Sequence, residues 1–303
     1  MIWAYLIHLS YNMWSDREIP DREYISAKPY LRFDERLWND LLRNMAEAGV
    51  NMLLIDLGDG VKYESHPEIS VKNAWTIQHL KEELQKIRDL GMEPIPKLNF
   101  STTHDTWLGP YSRCVSTDKY YEVCHDLIHE VIDIFDKPRF FHLGMDEETC
   151  HHQRYYNYVV VRQYELWWHD LNFLLDEVRK GGARPWIWSD HLWRHPEEFF
   201  KNMPKDVIQS NWYYRSEFTE DIDYVKAYID LDEHGYDQIP TGSNHSIPDN
   251  FQKTVAFCKR RLNPEHLLGF LQTVWRPTLE TFRERHIQAI EAIREGISVW
   301  KEK

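Results

Sequence analysis

Short apolar runs alternate eight times with amphipathic stretches along this chain, and no other feature limits its fold as much. Strands are expected at 2–9, 51–57, 93–100, 139–145, 184–189, 207–212, 238–242 and 267–274, of which 238–242 makes a poor one. Helices are expected at 34–48, 76–90, 119–135, 164–180, 196–202, 224–234, 251–262 and 281–300. Gly49, Gly91 and the pair Gly181 and Gly182 stand where helices stop, because glycine accepts the left-handed backbone that closes a helix. Strand–helix alternation brings successive strands together in parallel. Eight such units close into a single (β/α)8 TIM barrel of the α/β class, spanning 1–303. A doubly wound open sheet is the competing arrangement, but no glycine-rich phosphate loop follows the first strand.

A barrel places its chemistry where strands end, and the end of the fourth strand is unusual. Residues 139–148 read RFFHLGMDEE, an apolar run that stops in the acids Asp146, Glu147 and Glu148. Alternation along a strand puts His142, Gly144 and Asp146 on one side. Glu147 joins Asp146 only if the strand stops and the chain swings round. Adjacent carboxylates repel, which raises the pKa of the less solvated one, and a raised carboxyl suits a general acid. A solvated acidic turn is the plainer reading of three acids; the apolar strand, His142 and the small Gly144 favour a site. Other predicted strand ends are also polar: Asp56, Asp59 and Tyr63; Lys97, Asn99 and His104; Trp188, Asp190 and His191; Asn211, Trp212 and Tyr213; Gln272, Trp275 and Arg276. Each alone suits loop polarity or a core aromatic, whereas together they suit the mouth of a barrel.

Charge and cysteine usage narrow the partners. A net charge of −13 excludes attraction to nucleic acid or to an anionic membrane surface. No apolar run approaches the ~20 residues of a membrane span. The four cysteines form no CxxC pair and read as thiols of a reducing compartment. Residues 1–10 have no basic leader and no small-residue cleavage site, so they read as a strand, and a cytoplasmic protein is expected. Thirteen tryptophans and seventeen tyrosines fill cores, and they also stack on the C–H faces of sugars.

His142 to Glu147, read HLGMDE, resembles the H-x-G-G-D-E signature of family 20 glycoside hydrolases, the β-N-acetylhexosaminidases, with Met145 replacing the second glycine. Residues 91–99, GMEPIPKLN, resemble that family's third strand, an I-P-E-[IL]-D segment followed by P-G-H, with His104 standing for the histidine one residue further on. Trp188, Ser189 and Asp190 are similar to its strand-five end, residues 209–212 to its strand-six end, and Trp275 to the strand-eight tryptophan that walls the sugar pocket. The likeness runs from strand two to strand eight, with no trace of the small α/β domain that often precedes the barrel. It also departs from the pattern. Asn99 stands for the third-strand acid and Lys97 for the glutamate before it, Arg276 replaces the acid past the strand-eight tryptophan, and strand one ends without an arginine. Residues matching the chemical step are kept; those matching hydroxyl recognition are not.

The resemblance implies a glycoside hydrolase acting on 2-acetamido-2-deoxy-hexosides, in which the substrate's acetamide oxygen is the nucleophile. It implies Glu147 as acid and base and Asp146 as the partner of the acetamide N–H. Tyr213, with Tyr214 a near equal, would donate to the acetamide oxygen. Trp188, Trp212 and Trp275 would wall the pocket, and His142, Asn99, His104 and Asp190 would complete the binding site. A carbohydrate is the expected partner, with no cofactor and no metal. Two other classes remain in view. A non-catalytic sugar-binding barrel would have lost its hydroxyl contacts along with catalysis. A metal-dependent barrel hydrolase would use some of sixteen histidines. His125-x3-His129 has helical spacing but sits mid-helix without the HExxH glutamate, and so reads as packed or solvated. His151 and His152, beside Glu148, suit a metal better.

Overall fold

The computed structural model describes residues 1–302 and contains the eight expected strand–helix units. The strands are β1 (Ile2–His8), β2 (Met52–Asp56), β3 (Glu93–Lys97), β4 (Phe140–His142), β5 (Arg184–Trp188), β6 (Ile208–Ser210), β7 (Thr241–Ser243) and β8 (Gly269–Thr273). The helices are α1 (Glu35–Ala48), α2 (Ile77–Asp89), α3 (Asp118–Ile134), α4 (Tyr164–Lys180), α5 (Pro196–Asn202), α6 (Asp223–Glu233), α7 (Asn250–Arg261) and α8 (Arg283–Lys301). Their starts follow local chemistry: the Asp34 carboxylate accepts the free N–H groups of Arg36 and Leu37, and Thr76 and Thr117 do the same for α2 and α3. Gly49, at φ 92°, ends α1.

All strand pairs are parallel, in the order β6-β5-β4-β3-β2-β1-β8-β7. The last gap is closed by single bonds instead of a regular ladder: Ile239 N–H to Gln209 O at 3.0 Å and Thr241 N–H to Asn211 O at 2.9 Å. The expected strand at 238–242 is therefore a short strand at Thr241–Ser243 preceded by isolated bridges at Gln238. Pro240 has no N–H to give and interrupts the pairing there. Gly242 lets α7 approach, since a Cβ would come within 2.8 Å of the Phe251 backbone.

Alternation sorts each strand into two layers. Ala4, Leu6, Leu54, Ile95, Trp186, Trp188, Ile208 and Leu271 fill the barrel interior. Tyr5, Ile7, Leu53, Ile55, Phe141, Ile187 and Phe270 face outward into a larger core with the apolar sides of the helices, among them Trp38, Leu127, Leu174 and Ile293. No helix of the described residues is long and apolar enough to cross a membrane.

The uppermost interior layer is polar. Register pairs His8 with Asp56, Asp56 with Lys97 and Lys97 with His142, so four titratable side chains form a belt beneath the strand ends. Lys97 is fully buried and ion-pairs with Asp56, which His8 Nδ1 approaches at 3.3 Å. Burial raises the Asp56 carboxyl, but the Lys97 charge and His8 outweigh it and hold it below the usual range. Burial and the same lysine hold His142 well below its ordinary value, so it is neutral. Lys97→Met should cost about 3–5 kcal/mol by leaving Asp56 buried without its cation. The double variant Lys97→Met/Asp56→Leu should recover most of that loss in urea unfolding; equal instability of the two would assign the cost to side-chain volume.

Candidate active site

β4 stops at His142, three residues short of the expected 139–145 strand, because the chain turns into left-handed backbone. Gly144 and Met145 both lie at φ 73° and Glu147 at φ 59°. His142 takes the Gly144 N–H on Nδ1 at 3.0 Å and starts the turn. Only glycine fits at 144, because a Cβ there would lie 1.9 Å from Asn99 Oδ1. Met145, where the resemblance has glycine, adopts a conformation that costs an L-residue roughly 1–2 kcal/mol. The loop after β3 holds this turn. Asn99 Oδ1 accepts the Met145 and Ser101 N–H groups at 3.2 and 3.1 Å, and Thr103 donates to Glu147 O at 2.6 Å. On the other side, Glu147 N–H donates to Asp190 Oδ2 at 2.9 Å. Glu148 is paired with buried Arg162, which also binds Asp170, and both Glu148 and Arg162 lie along the cavity beside Glu147.

The swing of the chain brings Asp146 and Glu147 together with different surroundings. Asp146 is buried and accepts Asn99 Nδ2 at 2.8 Å, with His104 Nε2 at 3.3 Å from its second oxygen. The same imidazole nitrogen lies 3.5 Å from Glu147 Oε2, and His152 Nε2 lies 3.3 Å from Glu147 Oε1. Burial opposes charge at both Asp146 and His104, but their attraction prevails. Asp146 is held far below the usual carboxylate range, while His104 is pushed up to about 10. The sequence expectation that the more buried of the adjacent acids rises is thus overturned, because His104⁺ and Asn99 stabilise the Asp146 carboxylate. Beside these two acids, the Asp190 carboxyl does rise. Burial, followed by the charge of Asp146, pushes it well up, against the Glu147 N–H bond.

Beside the acids a cavity of about 1060 Å³ opens over the ends of β4, β5 and β6, lined by Glu147, Asp190, Trp193, Trp212, Tyr214 and Tyr224 among others. Trp188 does not line this cavity: it is 1% exposed and packs in the barrel interior, its ring centroid 4.5 Å from that of His142 and 5.9 Å from that of Trp275, which lies outside the cavity lining too. His142 has no exposed surface, so it supports the site instead of contacting a ligand. Asn99 likewise acts through Asp146 and the turn. Trp275, at φ 49°, is half-buried and meets Trp14 edge-on at 6.0 Å. Tyr213 and Tyr214 both line the cavity. Tyr213 packs its ring against Phe218 and Tyr224, whereas Tyr214 stacks on Trp212 at 5.1 Å and accepts Trp275 Nε1–H at 3.2 Å, which leaves its own proton free to donate. Arg276 donates to Trp275 O at 2.7 Å and lies over the Tyr24 ring.

Sequence reasoning passed over Trp14, whose ring meets His104 edge-on at 4.6 Å, and Arg162. Trp14 follows β1 in a loop without periodicity, and Arg162 ends an equally featureless segment after Glu148. Their role shows only in three dimensions. A metal at His104, Asp146 and Glu147 has the donor atoms within 4.8 Å of one another. The two carboxylates hold His104 protonated, however, so an ion there would first have to displace that proton.

At the level of sequence, no family model matches this chain and no curated protein matches it. Its fold is matched. A β-N-acetylhexosaminidase from Bacteroides fragilis NCTC 9343 aligns with 97% of this chain and 65% of its own, at TM-score 0.68 and 14% identity. A family 20 exo β-N-acetylglucosaminidase from Vibrio harveyi, in complex with N-acetylglucosamine, aligns with 100% of this chain and 54% of its own, at TM-score 0.68 and 13% identity. The Streptomyces plicatus N-acetyl-β-hexosaminidase, in complex with Thio-NAglucal, covers 97% and 63%, at TM-score 0.66 and 13% identity. The chain spans less than two thirds of the length of each. The fold is thus the (β/α)8 barrel found in family 20 glycoside hydrolases, in a divergent form.

Because His104 is raised from the unfolded imidazole value of about 6.5, its stabilising contribution is complete below about pH 6.5. That contribution then declines as pH rises, and is gone once the folded value of about 10 is passed. His104→Gln should flatten the corresponding fall in unfolding free energy, measured by urea titration across that window. An unchanged slope would show that His104 is not charged in the folded protein.

Proposed function

We propose that this chain is a glycoside hydrolase acting on 2-acetamido-2-deoxy-hexosides by substrate-assisted, retaining catalysis. The observation that carries the proposal is the pairing at the strand-four end: an ionised, fully anchored Asp146 next to a Glu147 whose carboxylate is 18% exposed at the cavity. In this reading the acetamide oxygen attacks the anomeric carbon while Glu147 gives its proton to the leaving oxygen. Asp146 accepts the acetamide N–H and balances the positive charge that grows on the cyclising group. Glu147 then takes a proton from the water that opens the cyclic intermediate. Tyr214 donates to the acetamide oxygen, Trp212 walls the sugar, and Asp190 holds the left-handed Glu147. Unequal environments suit two adjacent acids that need opposite protonation states. The four free thiols, two of them buried, support a reducing, cytoplasmic setting as part of the same proposal. A panel of aryl glycosides with and without the 2-acetamido group tests it: turnover should require that group. Glycan binding without any turnover would mark a sugar-binding barrel instead.

Glu147→Gln should lower turnover of natural, poor-leaving-group substrates by about 10²–10⁴-fold while the fold persists. An activated aryl glycoside should suffer less, because its leaving group needs less protonation. Equal loss on both, where glycosylation limits both rates, would count against the acid role.

Asp146→Asn keeps size and one acceptor but removes the charge, so it should lose on the order of 10²-fold or more on 2-acetamido substrates. A thiazoline mimic of the cyclised intermediate should bind the native chain well and this variant poorly. A covalent glycosyl–carboxylate adduct, trapped with a 2-fluoro sugar and found by peptide mass spectrometry, would overturn the substrate-assisted assignment.

A further inference from the structure

Away from the barrel mouth, on the outer face of the helical layer, α3 and α4 bring together two imidazoles and a carboxylate. His125 and His129 stand one turn apart on α3, and both direct a ring nitrogen at the same oxygen of Glu177 on α4. His125 Nδ1 lies 2.6 Å and His129 Nε2 3.0 Å from Glu177 Oε2. The two rings lie 4.5 Å apart, tilted by 44°, and their nitrogens meet at that one oxygen. The other carboxylate oxygen is held by Lys180 at 2.6 Å, which fixes the group and leaves Oε2 to the histidines. Burial opposes charge on Glu177, but Lys180 and the imidazoles prevail and hold it at about 2, so the carboxylate is ionised across the ordinary pH range.

This geometry is close to that of a coordinated ion. Ligands bound at about 2.0–2.1 Å around a tetrahedral ion sit roughly 3.3 Å from one another. To admit one, the contacts to Glu177 need to open by about 0.7 Å at His125 and about 0.3 Å at His129. Access is open, since the His125 side chain is 52% and the His129 side chain 34% exposed. Among the described residues two other clusters bring donor atoms equally near one another, but in neither do two imidazoles meet one carboxylate oxygen. His191 and His195, near Glu198, stack face to face at 4.5 Å with planes 21° apart, so their lone pairs run side by side. His104 already shares its Nε2 proton with two carboxylates.

We propose that His125, His129 and Glu177 bind one divalent transition-metal ion of the zinc class, clamping α3 to α4, with water in the remaining position. Two imidazoles and one carboxylate suit zinc, copper or nickel, whereas magnesium and calcium require oxygen donors. Binding in this way stabilises the fold by mass action, since the unfolded chain holds no such set. Affinity falls as pH drops below the imidazole range, because protons compete for the same nitrogens.

The test is calorimetric titration of the chelator-stripped full chain with zinc chloride, followed by thermal unfolding with and without the ion. One equivalent should bind at neutral pH and raise Tm, and magnesium chloride should do neither. His125→Asn, His129→Asn and Glu177→Gln should each weaken binding roughly tenfold or more. His104→Gln and His195→Asn should leave it intact. No binding at 100-fold excess over protein would overturn the proposal, as would several equivalents that none of the first three variants changes. Loss of binding in His104→Gln or His195→Asn alone would do the same by placing the ion elsewhere. His125 is exposed, so its replacement leaves folding out of the result.

Discussion

A single buried cation, Lys97, organises the top of this barrel. Its ammonium group lies where an interior strand position normally carries an apolar side chain, so the residues around it must answer its charge. Asp56 does so directly as an ion pair. His8 and His142, in the same layer, are kept neutral by burial and by their closeness to that charge. Asp146, one layer higher, is helped to stay ionised by it. A buried pair of this kind adds little net stability, since desolvation consumes most of the attraction. What it provides is an electrostatic floor that favours negative charge at the strand-four end.

On that floor the backbone supplies the geometry. Three residues between 144 and 147 adopt left-handed conformations, which a chain tolerates only where its surroundings over-determine them. The β3 loop supplies Asn99, Ser101 and Thr103, and the β5 end supplies Asp190, each holding one group of the turn. The strain therefore has a structural outcome. It places two sequence-adjacent carboxylates side by side at the barrel mouth, where an extended strand would have pointed them to opposite faces.

The two acids then differ by environment alone. Asp146 is enclosed by His104 and Asn99, whereas Glu147 reaches the cavity between His104 and His152. Aromatic rings line the space, among them Trp193, Trp212 stacked with Tyr214, and Tyr224, while Trp188, Trp275 and Trp14 pack together outside its lining. Arg276 places a cation beside Trp275, donating to its carbonyl and lying over the Tyr24 ring.

The order of strands and helices was legible in the sequence because it rests on local periodicity, and periodicity follows from which face each residue buries. Caps such as Asp34 and Gly49 were legible for the same reason. The acids and Trp188, Trp212 and Trp275 stood out because strand ends are short and the residue types there are rare. What the sequence left open depended on approach between distant segments. The Asp146 carboxyl is lowered by His104, more than forty positions away, and nothing local to Asp146 signals that partner. Tyr214 and Tyr213 are neighbours of equal chemistry, and only the fold shows that one stacks on Trp212 while the other packs against Phe218 and Tyr224. Glu177 gives the histidines of α3 a common target that spacing along α3 cannot reveal. The sequence by itself determined the barrel, its layering and the residues at its mouth, because those follow from side-chain period and length. The tertiary structure alone decided the protonation states and the direction of each side chain, because charge and desolvation depend on neighbours in space.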